Sequence, residues 1–97
     1  MNKKSLNDLI IFCLYSAKSR CSFEELIKEC FSLFPEYFSF SKIKKWPDSR
    51  KLDRPLRTLR KRKLIIGGPN TYFSLTKLGR KQAEEISKIL SQAKLQI

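Results

Sequence analysis

Residues 48–65 read DSRKLDRPLRTLRKRKLI, and eight of the chain's 21 Lys and Arg residues lie in this stretch. At about 100° per residue, its leucines collect on one side of a helix and a row of basic side chains lies on the opposite side. The pattern predicts an amphipathic helix over residues 48–63 that packs on a core through its leucines and exposes the basic side chains. The apolar side consists of Leu52, Leu56 and Leu59, and the basic row consists of Arg50, Arg54, Arg57 and Lys61.

The start and the interior of this helix carry two further signals. Asp48 or Ser49 is the predicted N-cap, because short polar side chains accept hydrogen bonds from the first N–H groups of a helix. Pro55 has no N–H to donate to the carbonyl of Lys51, so it either kinks the helix or lies in the first turn of a helix that starts near Asp53. Both alternatives keep the second half of the stretch helical.

The net charge of the chain is +12, and its distribution is uneven. Residues 42–63 carry eleven basic and two acidic side chains, a balance of +9, and the other 75 residues supply the remaining +3. So strong an excess of positive charge in a small domain favours a polyanionic partner.

The three cysteines do not form a metal-binding or disulfide pattern. Cys13, Cys21 and Cys30 are odd in number, show no CxxC spacing and have no histidine to complete a zinc site. We expect Cys13 and Cys30 to be small buried hydrophobic residues, and we expect no metal and no cofactor. Cys21 falls in a predicted loop between two helices, where oxidation is a hypothesis for regulation.

The composition also argues against catalysis. Without histidine, no serine or cysteine can have the commonest general base as its partner. The carboxylate pairs Glu24/Glu25 and Glu84/Glu85 fall on the predicted solvent faces of helices. We therefore predict that the protein is not an enzyme, and no site for a small-molecule ligand is evident.

The length and the hydropathy pattern predict a single domain over residues 1–97, in the cytoplasm. Ninety-seven residues with 41% hydrophobic residues are enough for one core. No run of eighteen apolar residues predicts a membrane span, and the N-terminal stretch does not resemble a secretory signal.

Two amphipathic helices are predicted in the first third of the chain, over about residues 5–18 and 22–34. The SLND sequence that begins at Ser5 and the SFEE sequence that begins at Ser22 have the form of capping boxes. Apolar residues follow each box at three- and four-residue intervals, and Pro35 ends the second helix.

The segment that follows is aromatic and then basic. Ser39 or Ser41 is the predicted cap of a short helix over 41–46 that ends before Pro47. Trp46 can pack against the core or stack on a nucleobase, and packing is the favoured interpretation.

A hairpin and a long helix are predicted for the last third of the chain. The hairpin covers residues 64–75, with its turn at 67–70, because two β-prone runs flank a Gly-Gly-Pro-Asn sequence. Thr76 is the predicted cap of the last helix, over 77–95. The predicted apolar stripe of this helix is Leu78, Ala83, Ile86, Ile89, Leu90 and Ala93.

The order of these elements, and two motifs, resemble a winged helix-turn-helix domain of small transcriptional regulators. The motifs are Leu56-x-x-Leu59-x-x-x-x-Leu64-Ile65 and Tyr72-x-x-Leu75-Thr76-x-x-Gly79-x-x-x-Ala83, and the resemblance covers about residues 42–95. It implies a mainly α fold with a small β-hairpin (α+β), an extra N-terminal helix and a long C-terminal helix. Lys63 stands where the family commonly has glycine, and Pro55 is unusual inside the recognition helix.

The resemblance also implies a function and a binding surface. Residues 48–62 would be the recognition helix in the major groove of double-stranded DNA, and the turn at 67–70 would be the tip of the wing. The basic character of the helix agrees, since arginine can bind guanine or phosphate. The implied DNA-binding residues are Lys42, Lys44, Lys45, Ser49, Arg50, Arg54, Arg57, Thr58, Lys61, Asn70 and Thr71.

Two other functions fit the charge. One is a winged-helix module that docks other proteins, and the other is RNA binding, for which Tyr37, Phe38 and Phe40 are the candidate stacking residues. A homodimer through the first and last helices is a further hypothesis, because the last helix is longer than one small core requires; the alternative is a monomer whose last helix closes its own core.

Overall fold

The computed structural model describes residues 6–17, 20–40, 42–43, 45–68 and 70–95, with side chains described up to residue 90. The described residues form five helices and three short strands, so the predicted mainly helical α+β class is confirmed. The elements are α1 (Leu6–Ser16), β1 (Arg20–Ser22), α2 (Phe23–Leu33), α3 (Pro35–Phe38), α4 (Arg50–Lys61), β2 (Ile65–Ile66), β3 (Tyr72–Leu75) and α5 (Lys77–Leu95).

Helix α1 is the centre of the core. It contacts α2, α4 and α5 as well as β1 and β3. Its buried side chains are Leu9, Ile10, Ile11, Cys13 and Leu14, a wider arc than one amphipathic stripe, because helices cover it on several sides. The predicted cap at Ser5 lies outside the described residues.

Helix α2 begins with the predicted capping box. The Glu25 N–H donates to Ser22 Oγ at 3.2 Å, and the Ser22 N–H donates to Glu25 Oε1 at 2.8 Å. The backbone hydrogen bond from Ser22 is the main cause of the lowered pKa of Glu25. The helix ends at Leu33, and Pro35 takes the first position of α3, where its missing N–H costs nothing.

The predicted helix over 41–46 is wrong. Its described residues form a turn, in which the Trp46 N–H donates to the Ile43 carbonyl at 3.2 Å and the Phe40 N–H donates to the Trp46 carbonyl at 3.0 Å. The short helix of this region is α3, and Ser39 follows its C-terminus instead of starting a helix. A bridge between Ser39 and Pro47 closes the segment as a loop.

The predicted hairpin, formed by β2 and β3, belongs to a three-stranded antiparallel sheet in the order β1-β3-β2, in which β3 is the central strand. Ile65 pairs with Leu75, and Cys21 pairs with Phe73. Strand β1 was predicted as a loop, because three residues are too few for an alternating pattern.

Cys21 is buried in this strand, and burial raises its pKa to about 12, so the exposed thiol required by the oxidation hypothesis is absent.

The other two cysteines are buried, as predicted. Both are fully enclosed in the core between α1 and α2. A hydrogen bond with Cys13 and desolvation raise the pKa of Cys30, so the thiol stays protonated. Both residues act as small apolar groups.

The junction between α4 and α5 brings the two chain segments into close contact. Lys63 adopts a left-handed conformation (φ 59°), which at a helix C-terminus is most often taken by glycine. Thr76 Oγ1 donates to the Lys63 carbonyl at 2.7 Å and accepts from the Gly79 N–H at 3.1 Å, which confirms Thr76 as the cap of α5. A Cβ on Gly79 would overlap the Leu64 carbonyl oxygen.

The predicted apolar stripe of α5 is only partly right. Ala83 and Ile86 are buried and Leu90 is half-buried, whereas Leu78 is 56% exposed and Ile89 is 49% exposed. The two exposed residues lie about 110° around the helix from the line through Gly79 and Ala83. The side chain of the remaining stripe residue, at position 93, lies outside the described part of the chain.

We expect Gly79→Ala to destabilise the protein by about 1–3 kcal/mol, through overpacking against Leu64. Alanine is the better helix former, so a loss of stability would come from the close approach and not from helix propensity. Gly68→Ala is the matched control, since the nearest atom to its added Cβ is Arg60 Nη1 at 3.6 Å. Urea unfolding measures both, and a Gly79→Ala variant as stable as the native protein would contradict the prediction.

Candidate nucleic-acid interface

Helix α4 has the two faces that its sequence predicts. Leu52, Leu56 and Leu59 are at most 4% exposed and belong to the core. The four residues of the basic row are all exposed, and Asp53 is exposed beside them. Thr58 is half-buried in a surface groove with Arg54 and Pro55.

Pro55 lies inside a continuous helix. Helix α4 runs from Arg50 to Lys61 without interruption, so a start near Asp53 is excluded. Pro55 is therefore a proline in the helix interior. Because it has no N–H, it cannot donate a hydrogen bond to the carbonyl of Lys51. The Lys51 side chain points away from the basic row, and its Nζ donates to the Ser39 carbonyl at 2.7 Å. This bond ties the first turn of α4 to the end of α3.

Asp48 caps α4 with its side chain. Its Oδ1 accepts from the Arg50 N–H at 3.1 Å and from Arg50 Nε at 3.2 Å, and its own N–H donates to the Phe38 carbonyl at 2.7 Å. Ser49 occupies the N-cap position, but its exposed side chain makes no capping bond. The hydrogen bond from the Arg50 side chain is the main reason why the pKa of Asp48 is lowered.

Asp48 also positions the first cation of the basic row. The Arg50 guanidinium lies over the ring of Phe40, with 5.5 Å from Cζ to the ring centroid. Arg50 and Asp48 form an ion pair. The second acidic residue of this stretch, Asp53, is exposed, and no ion pair joins it to a cation of residues 48–63, all of which are described. Arg54, Arg57 and Lys61 therefore present their charge to solvent.

The hairpin turn is held against the end of α4. Arg60 Nη1 donates to the Gly67 carbonyl at 3.3 Å, and Gly67 has a φ of 106°. Thr71 Oγ1 accepts from the Gly68 N–H at 3.1 Å, so this hydroxyl serves the turn itself. Asn70 is exposed at the tip. Both predicted wing-tip residues, Asn70 and Thr71, are exposed, and the Thr71 hydroxyl is already hydrogen-bonded within the turn.

The loop before α4 adds two cations and an exposed tryptophan. Lys42 and Lys45 are exposed, and Lys44 lies outside the described residues. Trp46 is 56% exposed, so the favoured interpretation of it as a core residue is wrong. Turns in the loop direct its side chain outward, a result that no periodic pattern could predict.

One contact between a cation and an aromatic ring involves two residues that are not among the predicted DNA-binding residues. The Arg20 guanidinium lies 4.5 Å from the centroid of the Tyr72 ring on the outer face of the sheet. Both residues are exposed, and the pairing of β1 with β3 brings them together. No local sequence pattern predicts this pair, because more than about fifty residues separate the two partners.

Two features are absent from the described part of the chain. No group of three His, Cys, Asp or Glu side chains there could hold a metal ion. Among the described helices, none combines the length and the apolar character needed to cross a bilayer.

Comparisons of the chain with family models, with curated proteins and with solved structures give no match. The arguments about function therefore depend on the residues and the geometry of the chain itself.

We expect Asp48→Ala to lower the thermal midpoint of unfolding at neutral pH, because the start of α4 loses its capping carboxylate. The pKa of Asp48 is lowered by folding, so its contribution is present above the unfolded pKa of about 3.9 and disappears as the pH falls through the lower folded value. The difference in midpoint between the variant and the native protein should therefore shrink in acid.

The control for this prediction is Asp53→Ala, which removes an exposed carboxylate from the first turn of the same helix. It should change the midpoint less than Asp48→Ala does. Thermal unfolding followed by circular dichroism at neutral and acid pH measures both variants. Identical midpoints for Asp48→Ala and the native protein at neutral pH would show that the carboxylate does not stabilise the helix.

Proposed function

We propose that this protein is a winged-helix domain that binds double-stranded DNA and regulates transcription in the cytoplasm. The observation that carries the proposal is the basic row of α4, exposed along a helix whose opposite face is anchored in the core. A solvated charged helix normally mixes both signs. Here one acidic residue, Asp53, accompanies the four cations of the row.

The dimensions of α4 suit the major groove. A helix with its side chains is about 10–12 Å wide, and the major groove is about 12 Å wide. The row from Arg50 to Lys61 extends about 16 Å along the helix, at 1.5 Å per residue. Arg54 and Arg57, near its middle, are the residues we assign to guanine edges or phosphates, because arginine can donate two parallel hydrogen bonds.

The neighbouring elements supply contacts to the DNA backbone in this proposal. Lys42 and Lys45 flank the start of α4 and would bind phosphates as point charges. At the other end, Arg60 holds the hairpin turn, and the exposed Asn70 would reach the adjacent groove or phosphate. Such backbone contacts give orientation, and base contacts give specificity.

RNA binding has less support from the aromatic residues predicted for it. Phe38 is 2% exposed, and Tyr37 packs against the core with its ring 6.5 Å from that of Phe34. Phe40 is half-buried under the Arg50 guanidinium. These three residues do not form an open stacking platform of the kind that RNA-binding sheets use.

We expect tight, salt-dependent binding to duplex DNA that the double variant Arg54→Glu/Arg57→Glu weakens by at least about tenfold. If about six cations neutralise phosphates, the slope of log affinity against log salt is near −5 for the native protein. The slope is shallower for the variant. Fluorescence anisotropy with a randomised duplex of about three helical turns, between about 50 and 200 mM salt, measures both quantities.

The control is Lys28→Glu/Lys88→Glu, which makes the same change in net charge at exposed positions of α2 and α5. It should reduce affinity less than the α4 variant. Equal losses for the two variants would mean attraction by net charge alone. Weak binding at every salt concentration would favour a protein partner, and stronger competition by structured RNA than by duplex DNA would favour RNA.

We also propose that α5 pairs with α5 of a second copy. Leu78 and Ile89 are exposed on one face of this helix, with the charged Lys81 and Glu85 beside them. In an antiparallel pair, Leu78 of each copy faces Ile89 of the other, and Lys81 approaches the oppositely charged Glu85. Helix α1 adjoins this face through Asp8, so the pair proposed here uses the last helix with the first helix beside it. A two-fold pair suits DNA half-sites about 34 Å apart.

We expect Leu78→Glu/Ile89→Glu to shift the protein from dimer to monomer, because two buried apolar contacts become like charges. Leu33→Glu/Ile66→Glu, at comparably exposed apolar positions of α2 and β2, should leave the dimer intact. Analytical ultracentrifugation over a series of concentrations distinguishes the species. A native protein that stays monomeric throughout the series would rule out this pairing.

A further inference from the structure

An apolar groove adjoins the start of the basic row. Trp46 and Ile43 form its exposed part, at 56% and 40% exposure, and Phe40 forms its half-buried wall. The groove has a volume of about 410 Å³, and its rim is charged. Its lining consists of Phe40, Lys42, Ile43, Trp46, Asp48 and Arg50.

The backbone that carries these rings is held at both ends. The Phe40 N–H donates to the Trp46 carbonyl at 3.0 Å, and the bridge between Ser39 and Pro47 lies directly outside this bond. Lys51 Nζ binds the Ser39 carbonyl from the side of α4. The groove is therefore formed before any ligand binds, which reduces the entropy that a ligand must overcome.

The composition of the groove favours a flat aromatic ligand that carries negative charge. A buried packing role would enclose the Trp46 ring, but more than half of the residue's surface meets solvent. Lys42 and Arg50 carry positive charge at the rim, and Asp48, which pairs with Arg50, carries one negative charge, so the net charge of the rim is positive. An aromatic ring beside cations is the arrangement that binds a nucleobase by stacking and its phosphate by charge.

We propose that this groove binds an unpaired nucleobase of the DNA whose duplex lies on the basic row. Arg50 belongs to both the groove and the row, so a strand leaving the duplex at this end of α4 would pass directly over Trp46. Paired bases stack on their neighbours and do not offer a free ring face. The ligand is therefore a junction between duplex and single-stranded DNA. This inference rests on the proposed duplex binding.

Trp46 reports on the site directly, because it is the chain's one tryptophan. The experiment compares a blunt duplex with the same duplex extended by a single-stranded tail of about four thymidines, a length that one small binding site can cover. Anisotropy of the labelled DNA gives the affinities, and tryptophan fluorescence reports contact with a base. We expect the tailed DNA to bind about five- to 150-fold more tightly, the range for one stacked base, and to quench Trp46.

Variants separate stacking from other effects. Trp46→Ala should lower the affinity for the tailed DNA to the level of the blunt duplex and leave blunt binding unchanged. Trp46→Phe should retain much of the preference, because a ring remains. Tyr72→Ala, at an exposed aromatic residue of the sheet, should not alter the preference. Loss of the preference in Tyr72→Ala instead of Trp46→Ala would overturn the proposed groove.

The two DNAs also distinguish the failure of this inference from the failure of duplex binding. Equal affinities for both DNAs without quenching would overturn the groove and leave duplex binding intact. Failure to bind either DNA would overturn both proposals. Binding of the tailed DNA alone, with quenching, would overturn duplex recognition and support the groove as a single-strand site.

Discussion

The burial of three α4 leucines against the core is the interaction on which the rest of this surface depends. Leu52, Leu56 and Leu59 are almost inaccessible, and α4 packs against α1 through this side. Each buried leucine contributes about 1.5–3 kcal/mol, whereas two exposed like charges repel by about 1 kcal/mol or less in water. Apolar burial therefore outweighs the cost of placing many cations on one short helix. Because leucines and cations occupy opposite sides, the same packing exposes the basic row.

The junction around Thr76 connects this helix to the rest of the candidate surface. Its hydroxyl binds the Lys63 carbonyl at the end of α4 and accepts from Gly79 at the start of α5. The left-handed conformation of Lys63 costs about 1–2 kcal/mol relative to glycine, and the hydrogen bonds of the junction offset this cost. Together with the contact from Arg60 to Gly67, the junction keeps the hairpin turn beside the basic row.

Elements with a strong local signal could be predicted, and elements formed by distant partners could not. The capping box at Ser22, the hairpin strands and the long last helix follow from short-range patterns, and the structure has them within a few residues. Strand β1 forms because β3 pairs with it across about fifty residues of sequence. The helix expected over 41–46 was wrong because hydrogen bonds between Phe40, Ile43 and Trp46 close the segment as a loop.

The features of the candidate site also fall into those that local sequence predicts and those that distant contacts decide. The sequence by itself determined which side chains of α4 carry charge and which are apolar, because a helix converts spacing into faces. Tertiary structure alone decided that Trp46 is exposed beside Arg50, and that Leu78 and Ile89 lie outside the core. These outcomes depend on where a loop closes and which arc of a helix its neighbours cover. Such long-range contacts leave no periodic trace in a single sequence.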